Sequence, residues 1–114
     1  MIKIKNVFYR VSNMKETSEF YQEVLGLPLQ FVDRDQWAQF KVNGVTFALG
    51  GREEVPHDLE AGAVVTFEVE NLNEARKQLE QHDVQVSDVR DMGGHGSTCY
   101  FLDPSKNIVQ LYQK

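Results

Sequence analysis

The residues best suited to chemistry in this sequence are three histidines and one cysteine, which are spread along the chain. His57 lies in an acidic stretch, His82 at the end of a predicted helix, and His95 in a glycine run at positions 93–96. Cys99 lies on a predicted strand with no basic neighbour to lower its pKa, a setting typical of an unreactive thiol. The glycine run lacks the Gly-Lys-Ser/Thr ending of a phosphate-binding loop. These residues alone identify no nucleophile and no catalytic set.

The elements that would position such side chains follow a pattern that occurs twice. Alternating apolar residues from Ile2 to Val11 predict a strand. Asn13 and Glu16 then have the spacing of a capping box at the start of a helix. Asn71 and Glu74 repeat this box 58 positions later. Both halves therefore predict the order strand, helix, strand, strand, strand.

The later strands of each half are bounded by turn residues. Asn43-Gly44 is a strong hairpin signal between predicted strands at 37–42 and 45–49. Val84, Val86 and Val89 predict a further strand, and residues 103–106 (Asp-Pro-Ser-Lys) predict the turn of a final hairpin. We expect a single domain over 1–114, built from modules at about 1–50 and 62–114 that are joined by a linker at 51–61.

Composition excludes several classes of protein. The 114 residues carry 12 Lys+Arg and 17 Asp+Glu, and this net charge of −5 argues against nucleic-acid binding, which needs a basic face. One cysteine excludes an intramolecular disulfide framework. The sequence contains no apolar stretch of about 20 residues and no signal-peptide pattern. We therefore expect a cytoplasmic protein that binds neither nucleic acid nor membrane.

Two motifs within this repeat resemble the vicinal oxygen chelate superfamily of glyoxalases, bleomycin-resistance proteins and extradiol dioxygenases. They are Ser18-Glu19-Phe20-Tyr21 with Val24-Leu25-Gly26-Leu27, and the closing segment 101–111, which begins Phe-Leu-Asp-Pro. Ser105-Lys106 replaces the usual Asp-Gly. The resemblance covers the whole chain and implies an α+β fold of two βαβββ modules with cup-shaped mixed sheets. It also implies a ligand cavity between modules and a homodimer.

The resemblance also implies where a metal would bind. Its metal-dependent members place ligands at four strand positions, which here correspond to Asn6, Ala48, Val64 and Gln110. Alanine and valine carry no donor atom, and neutral amides are poor ligands for Zn²⁺ or Fe²⁺ compared with imidazole and carboxylate. We therefore expect no metal ligand set and no cofactor.

Strand alternation extends these four positions to a set of cavity-facing residues. His95 joins the set because the loop before the seventh strand borders the cavity in the family. Such a mixture of aromatic, amide and charged side chains suits a small-molecule pocket. The alternative is a filled core in which Arg10 and Glu68 pair. The predicted cavity residues are Asn6, Phe8, Arg10, Trp37, Gln39, Thr46, Ala48, Val64, Thr66, Glu68, His95, Tyr100, Gln110 and Tyr112.

Three functions are compatible with this sequence. The first is a metal-free binding protein that sequesters a planar or cationic small molecule through its aromatic side chains. The second is a lyase, isomerase or dioxygenase of the superfamily with an atypical active site, in which Glu68 or His95 acts as a general base near Arg10. The third is a regulatory module whose cavity is vestigial. The sequence identifies no catalytic residue.

Overall fold

A computed structural model describes residues 5–54 and 62–114 of the chain. The chain divides into two compact units, Met1–Gly62 and Ala63–Lys114. The proposed linker at 51–61 falls largely, and His57 entirely, outside the described residues. Within the described part, no helix is both long enough and apolar enough to cross a membrane.

The first unit is a four-stranded mixed sheet with a helical segment packed on one face. Its strand order is β1-β4-β3-β2, with β1 parallel to β4 and the other neighbours antiparallel. A π-helical turn, Phe20–Val24, follows α1, and a 3₁₀ turn, Arg52–Glu54, follows β4. The elements are β1 Val7–Arg10, α1 Met14–Glu19, β2 Leu29–Asp33, β3 Trp37–Val42 and β4 Val45–Gly50.

The local signals at the ends of these elements act as predicted. The Asn13 side chain accepts a hydrogen bond from the Glu16 backbone N–H at 3.1 Å and donates to the Glu16 carboxylate at 3.1 Å. Asn43 and Gly44 both have positive φ, 49° and 81°, which matches the twist of a tight hairpin. The predicted helix start at Asn13 and the predicted hairpin are therefore confirmed, although the Glu16 carboxylate bonds to the Asn13 side chain instead of the Asn13 backbone N–H.

One strand departs from simple alternation. Leu29 pairs with Phe40, but Phe31, rather than Gln30, pairs with Gln39. The chain has thus one extra residue in β2, a β-bulge centred on Gln30. Such a bulge redirects side chains, and here it places Gln30 and Phe31 opposite the same residue of β3.

The second unit repeats the order of the first. Its sheet has the strand order β5-β8-β7-β6, with β5 parallel to β8. Asn71 caps its helix by accepting from the Glu74 backbone N–H at 3.0 Å, so the second helix start is also confirmed, with the N-cap half of the box formed. A 3₁₀ turn, Gly93–His95, precedes β7. The elements are β5 Val65–Glu68, α2 Leu72–Gln81, β6 Arg90–Asp91, β7 Ser97–Leu102 and β8 Ile108–Gln113.

The strand predicted from Val84, Val86 and Val89 is wrong. Only Val86 forms a bridge there, to Phe101, and the strand β6 comes later in the chain. Ser87 explains the interruption: its hydroxyl accepts from the Tyr100 backbone N–H at 2.8 Å, and its carbonyl accepts from the Arg76 guanidinium at 3.1 Å. The Ser87 N–H still donates to the Tyr100 carbonyl at 2.9 Å, but side chains replace the return bond that a regular ladder would make.

Each sheet packs one face against its own helix. In the first unit the buried face carries Tyr9, Phe40 and Phe47, and Tyr21 of the helical segment is completely buried among aromatic rings. In the second unit the buried residues include Leu72 and Leu79 of α2 and, from the sheet, Cys99, Phe101, Val109 and Leu111. The predicted fold class, α+β with two βαβββ units and mixed sheets, is confirmed.

Candidate functional site

Strand pairing in the first unit places predicted site residues from three strands on one face of the sheet. Phe8 pairs with Ala48, and Ala48 pairs with Gln39 on its other side. Gly50 is likewise flanked by Arg10 and Trp37. Since paired residues share a face, these side chains lie opposite the helix-covered face. We call this surface the open face of the first sheet; it carries Phe8, Arg10, Phe31, Asp33, Trp37, Gln39, Lys41, Thr46, Ala48 and Gly50.

Two aromatic rings form a platform on this open face. The Phe8 and Trp37 ring centroids are 5.1 Å apart, and the rings are tilted by 58°. Gly50 lies beneath the Phe8 ring: a Cβ there would come within 2.9 Å of the Phe8 ring atoms Cδ2 and Cε2. Glycine thus allows the Phe8 ring to lie directly over the strand. Phe8 remains 39% exposed.

A chain of hydrogen bonds holds the indole of Trp37. Its Nε1–H donates to Gln39 Oε1 at 3.1 Å, and Gln39 Nε2 donates in turn to Gln30 Oε1 at 2.9 Å. We call these three residues the relay. On the same face, Lys41 Nζ donates to Thr46 Oγ1 at 3.1 Å. The aromatic platform is therefore bordered by ordered polar groups.

Four residues of the open face, Phe31, Asp33, Lys41 and Gly50, were absent from the predicted set, as was Gln30 at the bulge. Strand alternation from Gln39 already indicates Lys41, so its position was within reach of the sequence. Gln30 and Phe31 depend on the bulge, which leaves no clear signal in an alternating segment. Phe31 is 47% exposed, so it extends the apolar surface available to a ligand.

The second sheet carries the remaining predicted residues on its own open face. Thr66 pairs with Gln110, Gln110 with Tyr100, and Glu68 with Tyr112. The Gln110 amide donates to Thr66 Oγ1 at 2.9 Å. Tyr100 is more than half exposed, and Val64 is an exposed residue just before β5. The structure thus groups Thr66, Glu68, Tyr100, Gln110 and Tyr112 on one sheet face.

His95 lies at the end of the 3₁₀ turn before β7 and is exposed. The next residue, Gly96, lies against the Tyr112 ring and the Gln113 backbone carbonyl, so the turn lies beside β8. Arg10 and Glu68 are both exposed on their own sheets, and their pairing stays the alternative to the predicted ligand cavity.

The four positions that correspond to metal ligands do not fit a metal ion. Ala48 is buried and, like the exposed Val64, offers no donor atom. Asn6 and Gln110 are half-buried neutral amides, and the Gln110 amide bonds to Thr66 through its nitrogen. Within residues 5–54 and 62–114, no three His, Cys, Asp or Glu side chains form a group able to hold a metal ion. The four positions carry none of the imidazole and carboxylate groups that divalent transition metals prefer as ligands.

The surroundings of Cys99 differ in one respect from the prediction that it has no basic neighbour. A basic residue distant in the sequence, Arg76, lies near its thiol and lowers its pKa, but burial has the larger effect and raises the pKa overall. Because the thiolate is disfavoured, the structure agrees with an unreactive role for this buried cysteine.

The sequence matches the family model of the Glyoxalase/Bleomycin resistance protein/Dioxygenase superfamily over residues 3–111, and the chain belongs to this superfamily. The metallothiol transferase FosB of Staphylococcus haemolyticus is 25% identical over 118 residues, which cover 98% of this chain and 84% of FosB.

Solved structures share the fold at lower identity. Lactoylglutathione lyase from Agrobacterium tumefaciens has a TM-score of 0.81 and 18% identity, with 97% of this chain and 92% of the lyase covered. The fosfomycin resistance protein FosX from Listeria monocytogenes has a TM-score of 0.77 and 13% identity, with 100% and 94% covered. This likeness shows the fold alone.

Proposed function

We propose that the protein binds a planar small molecule on the open face of the first sheet, without a metal ion. The observation that supports this most is the partly exposed Phe8–Trp37 pair: Gly50 leaves the space that the Phe8 ring fills, and the relay holds the Trp37 indole. A core would bury such rings, whereas a binding surface leaves them accessible.

The platform suits a flat ligand for energetic reasons. Aromatic contacts contribute about 0.5–1.5 kcal/mol each beyond the apolar area that they bury. Rings that are already held in place lose little conformational entropy when a ligand binds, which favours affinity. Cation–π attraction would add to the affinity for a positively charged ligand. The platform therefore supports binding of the planar or cationic class that the sequence indicates.

The side chains at the four metal-ligand positions of the superfamily do not support a metal-dependent reaction. Ala48 and Val64 would have to be replaced by residues with donor atoms before a divalent ion could be held there. Glu68 and His95, the candidate bases of an enzymatic reaction, belong to the other unit and are both exposed. No contact of the described residues favours a catalytic role for either, so we propose sequestration rather than turnover.

The test uses two planar probes, 2-naphthoate and 2-naphthamidinium, titrated calorimetrically into the intact protein. Trp37 is the only tryptophan, so its indole N–H signal in a ¹H–¹⁵N spectrum reports directly on the platform. We expect at least one probe to bind and to shift this signal. Phe8→Ala should weaken binding by about tenfold, the equivalent of about 1.4 kcal/mol.

The matched control is Val45→Ala, which removes an exposed apolar side chain from the same sheet, away from the platform. Its affinity for the probes should equal that of the unmodified protein. Failure of both probes to bind at millimolar concentration, or an equal loss in the two variants, would contradict the proposed function.

A further inference from the structure

The direction of the relay follows from the chemistry of its first member. An indole N–H can only donate, so the Gln39 atom that faces Trp37 is the amide oxygen. The Gln39 nitrogen therefore faces Gln30, which must accept through its own oxygen. As a result, the Gln30 amide nitrogen lies at the outer end of the relay. Within the described residues this nitrogen has no hydrogen-bond partner.

We propose that Gln30 determines specificity at the open face by donating a hydrogen bond to an acceptor oxygen on the edge of the planar ligand. The inference rests on the proposed function and narrows its ligand to planar molecules with carbonyl, carboxylate or similar acceptor groups. Planar cations that carry only donors at the edge are disfavoured, because Gln30 cannot turn its oxygen outward without breaking the relay.

The bulge in β2 is what brings Gln30 to this position. Regular pairing would place Gln30 and Phe31 on opposite faces of the sheet. With the extra residue, Phe31 pairs with Gln39 while the Gln30 side chain also reaches Gln39. A donor thus lies next to an exposed aromatic ring, which is the combination that a flat ligand with a polar edge requires.

The charges on the same face agree with this preference. Arg10 and Lys41 are exposed cations of the open face, and Lys41 has donor hydrogens beyond the one that it gives to Thr46. Two acidic residues lie nearby: Asp33 is paired with Arg34 at 3.3 Å, and Glu54 of the 3₁₀ turn lies beside Gly50. On the strands of this face the polar groups around Gln30 are therefore mostly donors, even though the whole chain is acidic.

The decisive variant is Gln30→Glu, which keeps an oxygen to accept from Gln39 but replaces the outward donor with an acceptor. In the unmodified protein we expect 2-naphthoate to bind more tightly than 2-naphthamidinium by about tenfold. Gln30→Glu should lower the affinity for 2-naphthoate by tenfold or more and should leave the affinity for 2-naphthamidinium unchanged or higher. The affinity for neutral coumarin, which carries only acceptors, should also fall. Because coumarin has no charge, this result separates the effect of the hydrogen bond from the effect of charge.

Gln22→Glu is the matched control, because it makes the same charge change at an exposed position of the π-helical turn. It should leave all three affinities unchanged. Tighter binding of 2-naphthamidinium to the unmodified protein, or equal effects of the two glutamate variants, would overturn the inference while leaving the proposed function intact. If no probe binds the unmodified protein, both fail.

Discussion

At the scale of single residues, two adjacent glycines have different neighbours. A Cβ on Gly50 would meet the ring of Phe8, which is the outer end of a side chain that can rotate away. A Cβ on Gly51 would overlap the backbone carbonyl oxygen of Asp35, which cannot move without distorting the chain around Gln36. Gly51 also donates its N–H to the Gln36 carbonyl at 2.9 Å. Gly50 therefore makes room for the Phe8 ring of the platform, and Gly51 allows two backbone segments of the fold to approach closely.

We expect Gly51→Ala to lower the free energy of unfolding by about 3 kcal/mol, since a new side chain is forced against backbone. Gly50→Ala should cost about 1 kcal/mol but should change the emission of Trp37, because the Phe8 ring is displaced from beside it. Urea denaturation and tryptophan fluorescence measure the two effects. Equal destabilisation by both substitutions would contradict this division of roles.

The buried thiol of Cys99 is expected to make the stability of the protein depend on pH. Burial raises the pKa of its thiol in the folded protein. The folded state therefore keeps its proton at a pH where the unfolded chain has lost it, and stability falls as pH rises above the ordinary thiol pKa of about 8.5. This contribution is fully present below that pH.

The measurement is the free energy of unfolding from pH 7 to 10 for the unmodified protein and for Cys99→Ala. The variant should be less stable at pH 7 because it leaves a small cavity, but its stability should fall less steeply above pH 8.5. Parallel curves for the two proteins would show that the thiol has no such role.

At the scale of elements, the two helices begin with the same device. Asn13 and Asn71 each accept from the backbone N–H three residues ahead, at 3.1 and 3.0 Å. Each bond satisfies a donor that the first turn of a helix otherwise leaves unpaired. The two units thus use equivalent local signals to fix where their helices start.

We expect Asn13→Ala and Asn71→Ala each to lower the free energy of unfolding by about 1 kcal/mol, as measured by urea denaturation. Asn13→Asp and Asn71→Asp should restore most of the loss, because aspartate also caps helices. An unchanged stability in the alanine variants would show that the caps contribute nothing.

Elements fixed by neighbours in the sequence were predictable, and those fixed by distant contacts were not. The caps, the hairpin at Asn43-Gly44 and the alternation of β3 depend on residues a few positions apart. By contrast, the hydroxyl of Ser87 takes the Tyr100 N–H where a regular strand would have formed, and the bulge at Gln30 exists only in register with β3. Strand alternation was enough to predict the platform residues Phe8 and Trp37, whereas Gln30, at the outer end of the relay, could not be predicted without the bulge.

At the scale of the whole molecule, we propose that the chain forms a homodimer, as its resemblance to the superfamily implied. Exposed apolar side chains support association: Leu102 and Ile108 form a cross-strand pair on the second sheet, and both are nearly half exposed. A partner that covers them would remove apolar area from water.

Light scattering at micromolar concentration should therefore give a mass of twice 13.1 kDa. Leu102→Asp should shift the equilibrium towards monomers, because it places a charge in the covered area. Val45→Asp, at an exposed apolar position of the first sheet, is the control and should remain dimeric. A monomeric mass for the unmodified protein would refute the proposal.

The parallel pairing of the first and last strands in each unit affects how the chain folds as it is made. Val7 pairs with Phe47, 40 residues later, and Val65 pairs with Val109, 44 residues later. At about 5–20 residues per second, each first strand leaves the ribosome several seconds before its partner strand does. During synthesis each unit therefore begins with an unpaired apolar strand, and only its last strand completes the sheet.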